Sequence, residues 1–149
     1  MKIVRNIIGV VAGILIGSFV NMFIVELGPQ FFPLPAGVNL TTEDGLKAGM
    51  SLMQPEHFIA PFLAHAVGTL VATFIAALIA VDRRKIITRV ISLLYLAGGA
   101  YMVAVLPSPM WFNLLDLIVA YVPMGMLGYL LATKIIPEGK GEGNSNINR

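Results

Sequence analysis

Uncharged apolar stretches alternate with short charged ones along the whole chain. Residues 6–25 are 20 positions without a charge, and at about 1.5 Å per helical residue such a run spans the roughly 30 Å hydrocarbon core of a bilayer. The pattern recurs at Phe58–Val81, at about Ile86–Leu106 and from Trp111 to about Ile135, where Asp116 is the one formal charge in the apolar interior. It predicts an all-α membrane protein. Four transmembrane helices are expected at about 4–27, 58–81, 86–106 and 111–135, forming two hairpins in a single domain over 1–136. A basic flank before an apolar run resembles a signal peptide, but this run is too long and no A-x-A cleavage site follows, so the first helix is read as retained.

The intervening segments differ in kind. The tail at 137–149 is rich in Gly, Asn and charge and is expected to be disordered in the cytoplasm. The outer loop at 28–57 is too long for a plain connector. After Pro29, Pro33 and Pro35, Thr41 or Thr42 can cap a helix with Glu43 and Asp44 in its first turn, and Pro55 is expected to stop it. Leu46, Met50 and Met53 recur at helical spacing, which makes this short helix amphipathic and able to lie on the membrane or across the bundle mouth.

Composition confirms the solvent. Of 149 residues 57% are hydrophobic and 12% charged, with a mean hydropathy of +0.84, too little charge to cover a soluble surface. The absence of cysteine removes disulfides, thiolate nucleophiles and iron–sulfur clusters. Nine of the ten basic residues cluster before the first run (Lys2, Arg5), between the second and third (Arg83, Arg84, Lys85, Arg89) and after the fourth (Lys134, Lys140, Arg149). With alternating spans these clusters share one side. By the positive-inside rule that side is cytoplasmic, with both termini in the cytoplasm and the loop periplasmic. The clusters are thus topology signals and no nucleic acid is expected as a partner.

Small residues in register mark where helices can touch, because lipid supplies no hydrophobic drive between helices and close packing must do so. Gly9, Gly13 and Gly17 repeat every four residues on the first helix, and Ala60, Ala64, Gly68, Ala72, Ala76 and Ala80 along the second. The two helices are expected to cross there. Folding of one chain has internal partners for these faces; homo-oligomerisation through an exposed groove is the alternative.

Polar residues within the spans are the candidate chemistry, since an ionised group at the bilayer centre costs about 2.5–3.5 kcal/mol. Counted from the outer ends, Asn21, His65, Tyr101, Asn113 and Asp116 share a level, with Glu26 nearer the surface and Thr69 on one polar ridge with His65 and Thr73. They define a candidate outward-facing polar pocket for a proton, a cation or a small solute. The structural alternative is a buried network in which His65 and Asp116 pair to fix helix register. Met50, Met53 and His57 add a soft-ligand spacing suited to Cu(I), though methionines at helical spacing more often form an apolar face. No nucleophile, phosphate loop or paired-histidine motif accompanies these groups, so no enzyme activity, cofactor or metal is expected.

Leu27-Gly28-Pro29, Pro55-Glu56-His57-Phe58, the run Phe62–Leu70 and the stretch from Trp111 through Asp116 to Met124 resemble a group of small four-helix bacterial inner-membrane proteins without an assigned activity. The resemblance covers most of the chain except the tail. It implies a bacterial inner-membrane location and carries no catalytic role. The expectation is a non-enzymatic inner-membrane component, whose partners are the lipid bilayer and either another membrane protein or a second copy. The alternative is a small ion, proton or solute carrier or channel.

Overall fold

The computed structural model describes residues 1–39 and 41–137, so the expected disordered tail lies, from residue 138 on, outside the described residues. Helices are present at α1 (Lys2–Phe31), α2 (Glu43–Gly49), α3 (Ile59–Ile79), α4 (Arg84–Val105), α5 (Met110–Val119) and α6 (Val122–Ile135), with 3-10 turns at Met50–Leu52 and Pro55–Phe58. Four stretches are long and apolar enough to cross a membrane: Lys2–Phe31, Pro55–Ile79, Arg84–Val105 and Met110–Ile135. Their outward faces agree with that reading. Phe19, Ile118 and Met126 remain exposed on the bundle surface, where a lipid solvent costs them nothing.

The glycine series of α1 lies against the alanine series of α3, antiparallel. A Cβ added at Gly17 would stand 2.6 Å from the Gly68 carbonyl oxygen and 2.9 Å from the Ala72 Cα, and one at Gly9 would stand 3.0 Å from the Ala76 oxygen. Ala64, Ala72 and Ala76 are fully buried. On its other side α3 receives α6, where Gly128 faces the backbone of Leu70 and Phe74, and Gly125 faces Thr73 and Ser92 of α4. Tyr95 of α4 reaches α1, its hydroxyl donating to the Ile14 carbonyl at 3.0 Å and sharing a hydrogen bond with Ser18 at 3.1 Å.

Three boundaries depart from expectation. Helix α1 runs on through Pro29 to Phe31, so the loop begins later than residue 28. The loop helix ends at Gly49, well before Pro55, which instead occupies the first turn of the following 3-10 segment, where a missing N–H costs nothing. The fourth span divides where Pro123 predicts a kink, as a break between two helices rather than a bend. Pro123 has no N–H for the Val119 carbonyl, so α5 stops at Val119, and Ala120 and Tyr121 form a turn, Tyr121 at the edge of the helical region (φ −110°, ψ −75°). The Gly125 N–H then bonds the Tyr121 carbonyl at 2.8 Å and α6 resumes. The break swings the Tyr121 side chain into the core, where it is 2% exposed.

At the end carrying the N-terminus, side chains close the helix termini. Asn6 accepts from the N–H groups of Val81 and Asp82 at 3.1 and 3.4 Å. Arg83 takes the left-handed conformation (φ 51°) that starts α4. Arg84 is not the solvated topology charge its cluster implied. It is 5% exposed, with Nε donating to Ala77 O and Nη1 to Ile136 O, each at 2.7 Å. One guanidinium thereby serves carbonyls at the negative ends of α3 and α6.

Candidate functional site

At the opposite end the loop folds over the bundle. The Thr42 hydroxyl accepts the Gly45 N–H at 3.1 Å and starts α2, and Lys47 pairs with Glu43 at 2.6 Å one turn away. That hydrogen bond holds the Lys47 ammonium above its ordinary range, but the pair is solvated and adds little stability. The apolar face faces inward. Leu46, Met50 and Met53 cover a cavity of about 200 Å³ whose walls come from α1, α3, α4 and α5. Phe58 and Phe112, with ring centroids 4.8 Å apart, pack beside Met50.

His57 fastens this cover. Its Nδ1 accepts the Gln54 N–H at 2.8 Å, which leaves Nε2–H to donate to the Pro33 carbonyl at 3.0 Å. Both nitrogens are therefore committed to the backbone, and Met50 and Met53 to the apolar wall. The imidazole is thus a loop staple, and Met50 and Met53 form the apolar face that their helical spacing predicts. Among the described residues no group of three His, Cys, Asp or Glu side chains is placed to hold a metal.

The floor of the cavity is built by His65 and Asp116. His65 Nδ1 lies 2.9 Å from both Asp116 carboxylate oxygens, and the Tyr121 hydroxyl donates to Oδ2 at 2.9 Å. A carboxylate only accepts, so the shared proton belongs to Nδ1 and, in the neutral ring, Nε2 carries a lone pair. The Tyr121 ring stacks on the imidazole with centroids 5.7 Å apart. Asp116 is 2% exposed, while His65 retains partial exposure toward the cavity it lines.

The expected polar pocket is thereby reduced and changed in character. His65, Asn113 and Asp116 line the cavity, whereas Asn21, Glu26, Thr69 and Tyr101 do not. Asn21 packs against Gly68 in the α1–α3 seam. Glu26 is exposed, one residue round the helix from the wall residue Val25. Thr69 is fully buried and its hydroxyl donates to the His65 carbonyl at 2.7 Å. Tyr101 is 62% exposed, because it stands two residues, about 200° of helix, from the inward-facing Gly99. Depth along the helix had grouped these residues; angular position separates them.

Asn113 itself is turned to the α4–α5 connection, accepting from the Ser108 hydroxyl at 2.6 Å and donating to the Ser108 carbonyl at 3.3 Å. Among the described residues, His57, Ser108, Asn113 and Asp116 on the wall all have protein partners, and His65 Nε2 has none. Sequence reasoning missed Tyr121, whose role depends on the break before Pro123. It also missed Arg84, which a count of clustered charges treats as solvated. Compared with known protein families, curated proteins and solved structures, the chain matches none.

Proposed function

We propose that this protein is a non-enzymatic, multi-pass component of the bacterial inner membrane that holds a small, largely apolar molecule bearing one hydroxyl or amine donor in its outer-half cavity. The observation that carries the reading is the unengaged His65 Nε2 at the floor of a largely apolar space whose other polar side chains have protein partners. A cavity near 150 Å³ holds a benzene ring, so the volume of about 200 Å³ suits a ring with one short substituent. A ligand donor placed at Nε2 regains the hydrogen bond lost on leaving water. No hydroxyl of the chain is hydrogen-bonded to Nε2 among the described residues, which favours binding over nucleophilic chemistry.

The gathering of basic residues at the end opposite the cavity supports cytoplasmic termini and a periplasmic loop. A reporter active only in the periplasm is expected to work when fused after Gly45 and to fail after Gly139; the reverse pattern overturns the orientation. Benzyl alcohol is a suitable probe. In nanodiscs it is expected to perturb the His65 ring resonances of the full-length protein, while toluene, the same ring without a donor, perturbs them much less. Equal responses to both probes contradict the proposed role of Nε2.

The carrier reading draws support from the same buried dyad, but below it Tyr121, Thr69 and Thr73 fill the interior. Vesicles containing the protein are therefore expected to leak protons no faster than empty ones. Faster leakage that is lost in Asp116→Asn would favour the carrier.

A further inference from the structure

A second site lies at the other end of the bundle, independent of the outer cavity, in a groove of about 470 Å³ between α4 and α6. Lys85, Thr88, Arg89 and Ser92 fall at i, i+3, i+4 and i+7 on one face of α4 and line it. Thr88 and Ser92 are buried at its base, whereas the Lys85 and Arg89 side chains are exposed. Further along, Met126 and Leu130 of α6 supply an apolar wall that is open to the surroundings. Neither basic residue has a carboxylate within 4.0 Å among the described residues, where the ion pairs are those of Lys47 and His65.

Two cations one helical turn apart at the end of a membrane span, with no carboxylate within 4.0 Å among the described residues, suit an anionic partner. The apolar wall continues along the helices, at the depth where acyl chains lie. We infer that this groove binds one anionic phospholipid, its phosphate between Lys85 and Arg89 and an acyl chain against Met126 and Leu130. The neighbouring groove between α1 and α4 is a poorer host, since Asp82 stands among Lys2 and Arg83 and offsets their charge.

The test presents the full-length protein in detergent with equal amounts of phosphatidylglycerol and phosphatidylcholine and measures the lipid retained by native mass spectrometry. Phosphatidylglycerol is expected to dominate. With about 1 kcal/mol for each basic residue at an anionic surface, Lys85→Gln with Arg89→Gln should lower that preference by about 30-fold. Both side chains are exposed, so the fold should survive, and Lys2→Gln with Lys134→Gln should leave the preference intact. Inorganic phosphate at the same concentration should not displace the lipid. Equal retention of the two lipids, an equal effect of the Lys2 and Lys134 pair, or displacement by inorganic phosphate would each overturn the assignment.

Discussion

Replacing Gly17 by alanine adds one methyl group where α1 and α3 meet through their backbones. The new Cβ would lie 2.6 Å from the Gly68 oxygen and 2.9 Å from the Ala72 Cα, so the helices must separate. Neither neighbour is a flexible side-chain end that can swing aside. Overpacking of this kind costs about 1–3 kcal/mol, against a gain of about 1 kcal/mol from replacing glycine inside a helix. Gly98 is the matched control, because it too lies inside a helix but a Cβ there meets nothing within 4 Å. Gly98→Ala should therefore be neutral or stabilising, and Gly17→Ala destabilising relative to it by about 1–3 kcal/mol. Equilibrium unfolding in mild detergent measures both. Gly13→Leu and Gly68→Leu should be worse still, whereas Leu131→Ile on the exposed face should do little. If Gly17→Ala unfolds together with Gly98→Ala, close backbone contact is not what joins α1 to α3.

Other residues give sharper local tests. Arg84→Met leaves the Ala77 and Ile136 carbonyls without their charged donor and should cost about 2–3 kcal/mol in the same unfolding assay. Arg84→Lys should recover only part of this, since an ammonium lacks the forked geometry. Tyr121→Phe keeps the ring against His65 but removes a hydrogen bond to a buried carboxylate; a loss of about 1.5–3 kcal/mol is expected, and an unchanged stability would deny the bond. His57→Ala should speed hydrogen exchange over residues 41–57 while leaving α3 and α6 protected, because the imidazole ties the Gln54 turn to Pro33.

The features that composition dictates were legible before any coordinates. Four apolar spans follow from length and charge placement, and the Gly9, Gly13, Gly17 series sits where four-residue spacing puts it, against Gly68 and Ala72. His65 and Asp116 were also identifiable, because buried ionisable groups in a span need partners. What escaped was geometry that one-dimensional spacing does not encode. Tyr101 and Asp116 share a depth, but their helices present them to different sides. The turn at Ala120–Tyr121 shows in sequence only as Pro123, which equally permits a gentle kink, although the observed break is what brings Tyr121 to the carboxylate. Arg84 opens α4 between the left-handed Arg83 and the exposed Lys85, and nothing in the run of three basic residues marks it as the one that is buried.

The ligand-holding role depends on a lone pair at His65 Nε2, held toward the cavity by the hydrogen bond that Nδ1–H donates to Asp116. The chain contains two histidines, so a protein labelled with ¹⁵N in histidine gives two imidazole patterns, assigned by removing His57. In nanodiscs without added ligand, near neutral pH, the His65 ring should show a protonated Nδ1 and an unprotonated Nε2, and Asp116→Asn should weaken that preference. A His65 ring protonated at Nε2, alone or together with Nδ1, would contradict the ligand-holding role, and one bare at Nδ1 would contradict the dyad as well.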